Sequence, residues 1–269
     1  MSGDVDLLLD RLSREDGVLV RITRTQGSAP REAGTWMAVW QDGLTATIGG
    51  GQLEFQATQE ARGWLLGGEG IPEVRRYPLG PSLGQCCGGV VFLSYQYITA
   101  VDRAALQREL VARLTPVALF GGGHVGAALA RLLAGLPYSV RWIDSRDGVF
   151  PEALPAQIET EYSEPVQDAV AQLAPGSHVL IMSFSHAEDL DIVIACLRRL
   201  RERDDLPYIG LIGSKTKWAT FRHRLEARGF TEEETARVTC PIGVPGITGK
   251  EPEVIAVAVA AQLLQRREG

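Results

Sequence analysis

Two adjacent cysteines, Cys86 and Cys87, stand between glycines in the stretch Gly84-Gln85-Cys86-Cys87-Gly88-Gly89, just ahead of the strand-like run Val90-Val91-Phe92-Leu93. Neighbouring Cα atoms lie about 3.8 Å apart, whereas relaxed disulfides span roughly 4.4–6.8 Å. A bond within the pair would be strained and easily reduced. The doublet instead offers one or two free thiols on a backbone that glycine opens to close ligand approach. Thiolates are soft metal ligands and nucleophiles. The plainer alternative is a pair of small side chains filling space beside a glycine turn.

Two further loops in the same half are rich in small residues. Gly27-Ser28-Ala29-Pro30-Arg31 sets a hydroxyl and a guanidinium in a turn, and arginine grips planar oxyanions with paired hydrogen bonds. Gly49-Gly50-Gly51, ahead of Leu53-Glu54, has the composition of a backbone nest for an anion. Each loop alone could be a turn and nothing more. Combined with Cys86 and Cys87, they suit a metal complex bearing thiol and oxo groups better than an organic substrate alone.

The second half carries Gly121-Gly122-Gly123-His124-Val125-Gly126 directly after Val117-Ala118-Leu119-Phe120. This is the G-x-G-x-x-G pattern in its strand–turn–helix setting, where glycines bring backbone N–H groups near a phosphate at a helix start. Asp144 closes the next strand, at the place where such folds put the acid that holds a ribose. His124 lies in the loop, and His186 follows Ser183-Phe184-Ser185 at another strand end, so both are candidates for the crevice outside the strands. Glu188, Asp189 and Asp191 read as residues favouring a helix start through its dipole rather than as metal ligands. Gly210 to Lys217 runs a strand into a second helix start, where Ser214 and Lys215 either hold a phosphate or, for Ser214, simply cap the helix. His178 and His223 read as structural or exposed, and Cys196 as a buried helix residue.

Positioning these groups requires two kinds of scaffold. Val5, Leu8, Leu9 and Leu12 recur at helical spacing, and Val18–Ile22, Trp36–Trp40, Leu44–Ile48, Val74–Tyr77 and Val90–Tyr97 read as strands around a helix from Gln52 to Leu66. This predicts an N-terminal mixed, mostly antiparallel α+β domain over residues 1–98, followed by a linker helix within 99–115. From Pro116 the pattern alternates buried strands (Val117–Phe120, Val140–Ile143, Val179–Met182, Ile209–Ile212) with helices, the signature of a Rossmann-like parallel α/β domain over 116–269. A closing helix is expected over 251–265, packed through Ile255, Val259 and Leu263.

Composition bounds the rest. A hydrophobic content of 45% with 22% charged residues fits an ordinary protein with a substantial core. The net charge of −6 argues against nucleic acid as a partner, since phosphate-backbone affinity rests on clustered Lys and Arg. Four cysteines at positions 86, 87, 196 and 240 match neither a disulfide scaffold nor a zinc pattern. The acidic start Met1-Ser2-Gly3-Asp4 lacks a signal-peptide pattern, and no stretch approaches the ~18 apolar residues of a membrane helix. The expectation is a cytoplasmic protein without a membrane partner, with a homodimer among the expected assemblies.

These blocks, in this order and over nearly the whole chain, resemble the xanthine dehydrogenase accessory proteins, the XdhC group related to the CoxI accessory proteins of carbon monoxide dehydrogenase. The resemblance rests on Gly27 to Arg31 with Gly34 and Met37, on Gly49 to Glu54, on Leu83 to Gly89, and on the second-half motifs ending in Cys240-Pro241-Ile242-Gly243. It implies a chaperone that binds the molybdenum cofactor (molybdopterin) transiently, supports its sulfuration, and delivers it to apo-xanthine dehydrogenase. A cysteine desulfurase would supply the sulfur. Carried onto this chain, Cys86 and Cys87 become the candidates for contact with molybdenum or its sulfur. Gly121, Gly123, Gly126 and Asp144 become candidates for the pterin phosphate or the cofactor's tail, and Ser28, Arg31, Gly50, Gly51, His124, His186, Ser214 and Lys215 complete the candidate set. The region from Cys240 to Lys250 is longer and richer in Gly and Pro than in many relatives, and no role for Cys240 follows. The alternatives are an NAD(P)-dependent oxidoreductase using His124 or His186, a thiol redox enzyme, and an adaptor that binds the dehydrogenase without cofactor.

Overall fold

The computed structural model describes residues 2–67, 74–80, 88–111, 114–155 and 157–267. Cys86 and Cys87 therefore lie outside the described residues. The chain divides into two compact units, one over residues 3–110 and one from Val111 onward.

The first unit is built on a five-stranded antiparallel sheet. Its strands are β1 (Gly17–Gln26), β2 (Trp36–Val39), β3 (Leu44–Ala46), β4 (Val74–Pro78) and β5 (Val90–Ile98), in the order β3-β2-β1-β5-β4. Strand side chains alternate between faces, and here both faces are covered. Val18, Val20, Ile22, Met37 and Val39 pack with Leu53, Ala57 and Ala61 of helix α2 (Gly51–Leu65). Leu19, Trp36, Ala38 and Trp40 pack with Leu8 and Leu12, the first of which lies in helix α1 (Ser2–Arg11). Two buried faces explain why Val18, Leu19 and Val20 are apolar in succession rather than alternating with polar residues.

The helix expected as a linker lies within this unit. It is α3 (Arg103–Val111), and its Leu106 and Leu110 are buried with Leu8, Leu12 and Ile98. A 3-10 turn over Ala100–Asp102 precedes it, fixed by a reciprocal capping pair between Thr99 and Asp102.

The second unit holds a six-stranded parallel sheet formed by β6 (Thr115–Phe120), β7 (Tyr138–Asp144), β8 (Ile158–Tyr162), β9 (His178–Ile181), β10 (Tyr208–Leu211) and β11 (Val238–Thr239). The order β11-β10-β9-β6-β7-β8 is the doubly wound Rossmann order, reversing direction between β6 and β9. Helices α4 (His124–Leu133), α5 (His186–Arg203), α6 (Lys215–Glu226), α7 (Glu232–Thr235) and α8 (Pro252–Arg267) complete it. The crossover from β8 to β9 is a 3-10 segment, Val166–Gln172, rather than an α-helix. The closing helix α8 buries Val259 and Leu263 fully, with Ile255 partly buried, in one cluster with Leu129 and Leu133 of α4.

Candidate functional site

In the first unit, the antiparallel order brings the end of β1, the end of β3, the start of α2 and the start of β5 to one end of the sheet. Gln26 pairs with Val90, so the Gly27–Arg31 loop leaves β1 beside the entry to β5. A side-chain carbon built on Gly89 would collide with the carbonyls of Ser28 and Gln26, and one built on Gly27 would lie 3.3 Å from the Cα of Gly89. On its other side the same loop meets the triple glycine, where a carbon added to Gly49 would stand 2.9 Å from Pro30 and 3.2 Å from Arg31. Ser28 and Arg31 are both exposed. Leu79 N–H donates to the Gly89 carbonyl at 2.7 Å, which ties together the two ends of the segment carrying the cysteine doublet.

The triple glycine has three successive positive φ values, 120°, 73° and 66°, a conformation that glycine alone adopts without strain. It is not an open anion nest. Glu54 Oε2 accepts from the backbone N–H of Ile48 at 3.0 Å and of Gly50 at 3.3 Å, and from the Thr47 hydroxyl. Thr47 in turn accepts from Gly49 N–H at 3.0 Å. A carboxylate of the chain itself occupies the turn, one residue type that the motif contained and that sequence reasoning placed only on the helix.

In the second unit, the Gly121–Gly126 loop divides into packing and open positions. Gly121 has φ 122° and no room for a side chain against the Met182 carbonyl. Its own carbonyl accepts from Trp142 Nε1 at 2.9 Å and would be struck by any side chain at Gly126. Gly126 thus lets α4 approach the β6 end and faces the protein rather than a ligand. Gly123 has open space where a side chain would stand, and it and His124 are exposed.

Asp144 is 2% exposed and already engaged. Gly122 N–H donates to its Oδ2 at 2.6 Å, Arg146 N–H to Oδ1 at 2.8 Å, and the Arg146 guanidinium to Oδ1 at 2.9 Å and Oδ2 at 2.8 Å. Burial alone would raise this carboxyl, but the bonds from Arg146 and Gly122 outweigh it and hold the pKa below its ordinary value. Arg146 was missed in the sequence, although a cation two residues beyond the acid was there to be read. Its guanidinium lies over the Phe184 ring at 4.5 Å. Ser145 Oγ donates to Glu188 Oε1 at 2.6 Å, a bond from the β7 end to the start of α5.

Asp189, expected at the helix start, is a buried acceptor. It takes the Ser183 N–H at 2.9 Å, the Ser183 hydroxyl at 2.7 Å, and Lys217 Nζ at 2.5 Å. His186 and Ser214 come together in a cavity of about 380 Å³ that Lys217, Phe221 and Arg224 also line. Ser214 caps α6 by accepting from Lys217 N–H at 3.1 Å, while Lys215 is exposed on its first turn. Burial pushes the Cys240 thiol up to about 11 and the Cys196 thiol up to about 12. Among the described residues, no cluster of three or more His, Cys, Asp or Glu could hold a metal ion, and no helix is long and apolar enough to cross a membrane.

Residues 117–263 match the XdhC Rossmann domain, and residues 11–78 match the XdhC and CoxI family. The chain belongs to the XdhC and CoxI family. A Bacillus halodurans protein described as a xanthine dehydrogenase shares the fold of this family member, with a TM-score of 0.74 and 19% identity over 98% of this chain and 96% of that one. The uncharacterized Escherichia coli protein YqeB is 28% identical over 260 residues, 92% of this chain and 43% of that protein. This XdhC-family chain therefore spans under half the length of that relative.

Proposed function

We propose that this chain is a molybdenum-cofactor chaperone that holds molybdopterin transiently, supports its sulfuration, and passes it to apo-xanthine dehydrogenase. Membership of the XdhC and CoxI family supports a role in maturing xanthine dehydrogenase. The observation that carries the finer reading is the convergence at one end of the first sheet. There the Ser28 and Arg31 loop lies against Gly89 and Gly49, and the segment bearing Cys86 and Cys87 has both its ends anchored.

The donor set fits such a group. In the first unit, thiols suit a soft metal and the exposed Arg31 guanidinium suits an oxyanion; in the second, Gly123 leaves room at a helix N-terminus for a phosphate. When bound, the cofactor supplies the molybdenum centre on which a terminal oxo is exchanged for sulfido. The chain's part would be to bind and orient: in the first unit Cys86 and Cys87 would contact the metal or its sulfur and Arg31 and Ser28 would hold an oxyanion, while in the second unit the Gly121–Gly123 loop with His124 would offer a place for a phosphate. A cysteine desulfurase supplies sulfur. Activity is expected only through a partner.

The test is reconstitution of apo-xanthine dehydrogenase with cofactor and sulfur donor, with and without this protein. Recovered dehydrogenase activity should rise in its presence. No gain over free cofactor overturns the role, and a steady hydride-transfer rate without any partner would favour an NAD(P)-dependent oxidoreductase instead.

A further inference from the structure

We propose that Arg146 sets the ligand class of the Rossmann crevice, closing it to a free ribose diol and presenting a cationic edge to a phosphate monoester. In a dinucleotide fold, the acid at the end of the second strand accepts from the ribose hydroxyls, and a neighbouring arginine serves instead where that ribose is phosphorylated. Here the acid is Asp144, at the end of β7, and both its oxygens already carry two donors each. A diol could bond to it only by displacing a bidentate guanidinium from a carboxylate that is 2% exposed. A diol's bonds to the carboxylate would also be charge-assisted, but a diol brings no positive charge, so the exchange gives up the guanidinium's opposite charge and its two-pronged fit. The exchange runs uphill, and the diol is rejected.

The same pairing orients Arg146 outward. It uses Nε and Nη2 and leaves Nη1 outside it. The side chain remains 36% exposed, with its guanidinium carbon 4.5 Å from the centre of the Phe184 ring, itself 66% exposed. A guanidinium clamped on one edge and stacked on one face has already lost most of its rotamer freedom, so an oxyanion on its open edge incurs little further ordering cost. Glu188 adds a second negative charge near Arg146: Ser145 bonds one of its oxygens, and the other is buried without a donor. Arg146 is thus paired with Asp144 and still reaches solvent.

This selectivity does not depend on the chaperone role, because it follows from the crevice's own hydrogen bonds whichever molecule carries the phosphate. Two sources present that chemistry, a ribose bearing a phosphate monoester and a pterin ending in one. The experiment measures equilibrium binding to the full chain in two probe pairs: NADP⁺ against NAD⁺, and molybdopterin against its nucleotide-extended form. The wild type should prefer the phosphate-monoester member of at least one pair by tenfold or more, and which pair shows the preference identifies the source. Arg146→Ala should abolish that preference. Arg146→Lys keeps the charge without the bidentate geometry, should weaken the preference severalfold, and carries the test if the alanine variant does not fold. No preference in either pair, or one that both variants retain, overturns the proposal.

Discussion

The backbone of Gly89 lies so close to the Ser28 carbonyl that no side chain fits between them. The β1–β5 pairing brings together two loops that stand far apart in the sequence. Gly89→Ala must push one of them away, and overpacking of this kind costs about 1–3 kcal/mol. The expected outcome is a lower thermal midpoint together with reduced pterin retention. A variant as stable as the wild type would refute the close approach.

If Cys86 and Cys87 hold the cofactor as proposed, replacing both by alanine should abolish pterin retention while leaving the thermal midpoint unchanged, because each change deletes only one sulfur. The same variant isolates the other two thiols. Burial holds Cys240 at about 11 and Cys196 at about 12, so both should resist alkylation near neutral pH in the folded protein. Mass spectrometry should find little label before unfolding and two labels after it. Rapid labelling of both thiols in the native double variant at neutral pH would contradict the burial of Cys196 and the partial burial of Cys240.

Lys217 and Asp189 form a largely buried ion pair, their side chains 11% and 3% exposed. Lys217→Met leaves the carboxylate buried without its cation, a loss of about 3–5 kcal/mol. Lys217→Met combined with Asp189→Leu should recover much of that, since replacing a whole buried pair with apolar groups is often near neutral. Chemical denaturation of the single and double variants measures both.

Asp144 should contribute an acid limb to stability. Its folded pKa is depressed by Arg146 and Gly122, so its contribution is complete above the unfolded value of about 3.9. That contribution is lost as pH falls below this value towards the folded one. Arg146→Ala removes the main donors and should flatten this limb while lowering stability near neutral pH. The measurement is the unfolding midpoint followed from near-neutral pH into the acid range for both proteins. An unchanged slope in the variant would show that the pair does not govern the limb.

Local patterns in the sequence determined both scaffolds. The apolar run of β1, the helical spacing of Leu53, Ala57 and Ala61, and the strand–turn–helix setting of Gly121 are each set by neighbours a few residues away, where period and turn chemistry act. The edges were less legible. β8 reads Ile-Glu-Thr-Glu-Tyr and β11 is two residues long, too polar or too short to carry a periodic signal. Only the tertiary structure decided which donors stay open to a ligand. Glu54 fills the triple-glycine turn, and Arg146 fills Asp144, though both lie within a few residues of the groups they satisfy. Residue types alone cannot show this, because a carboxylate or guanidinium near a glycine loop serves a ligand or the chain itself according to where the folded backbone aims it.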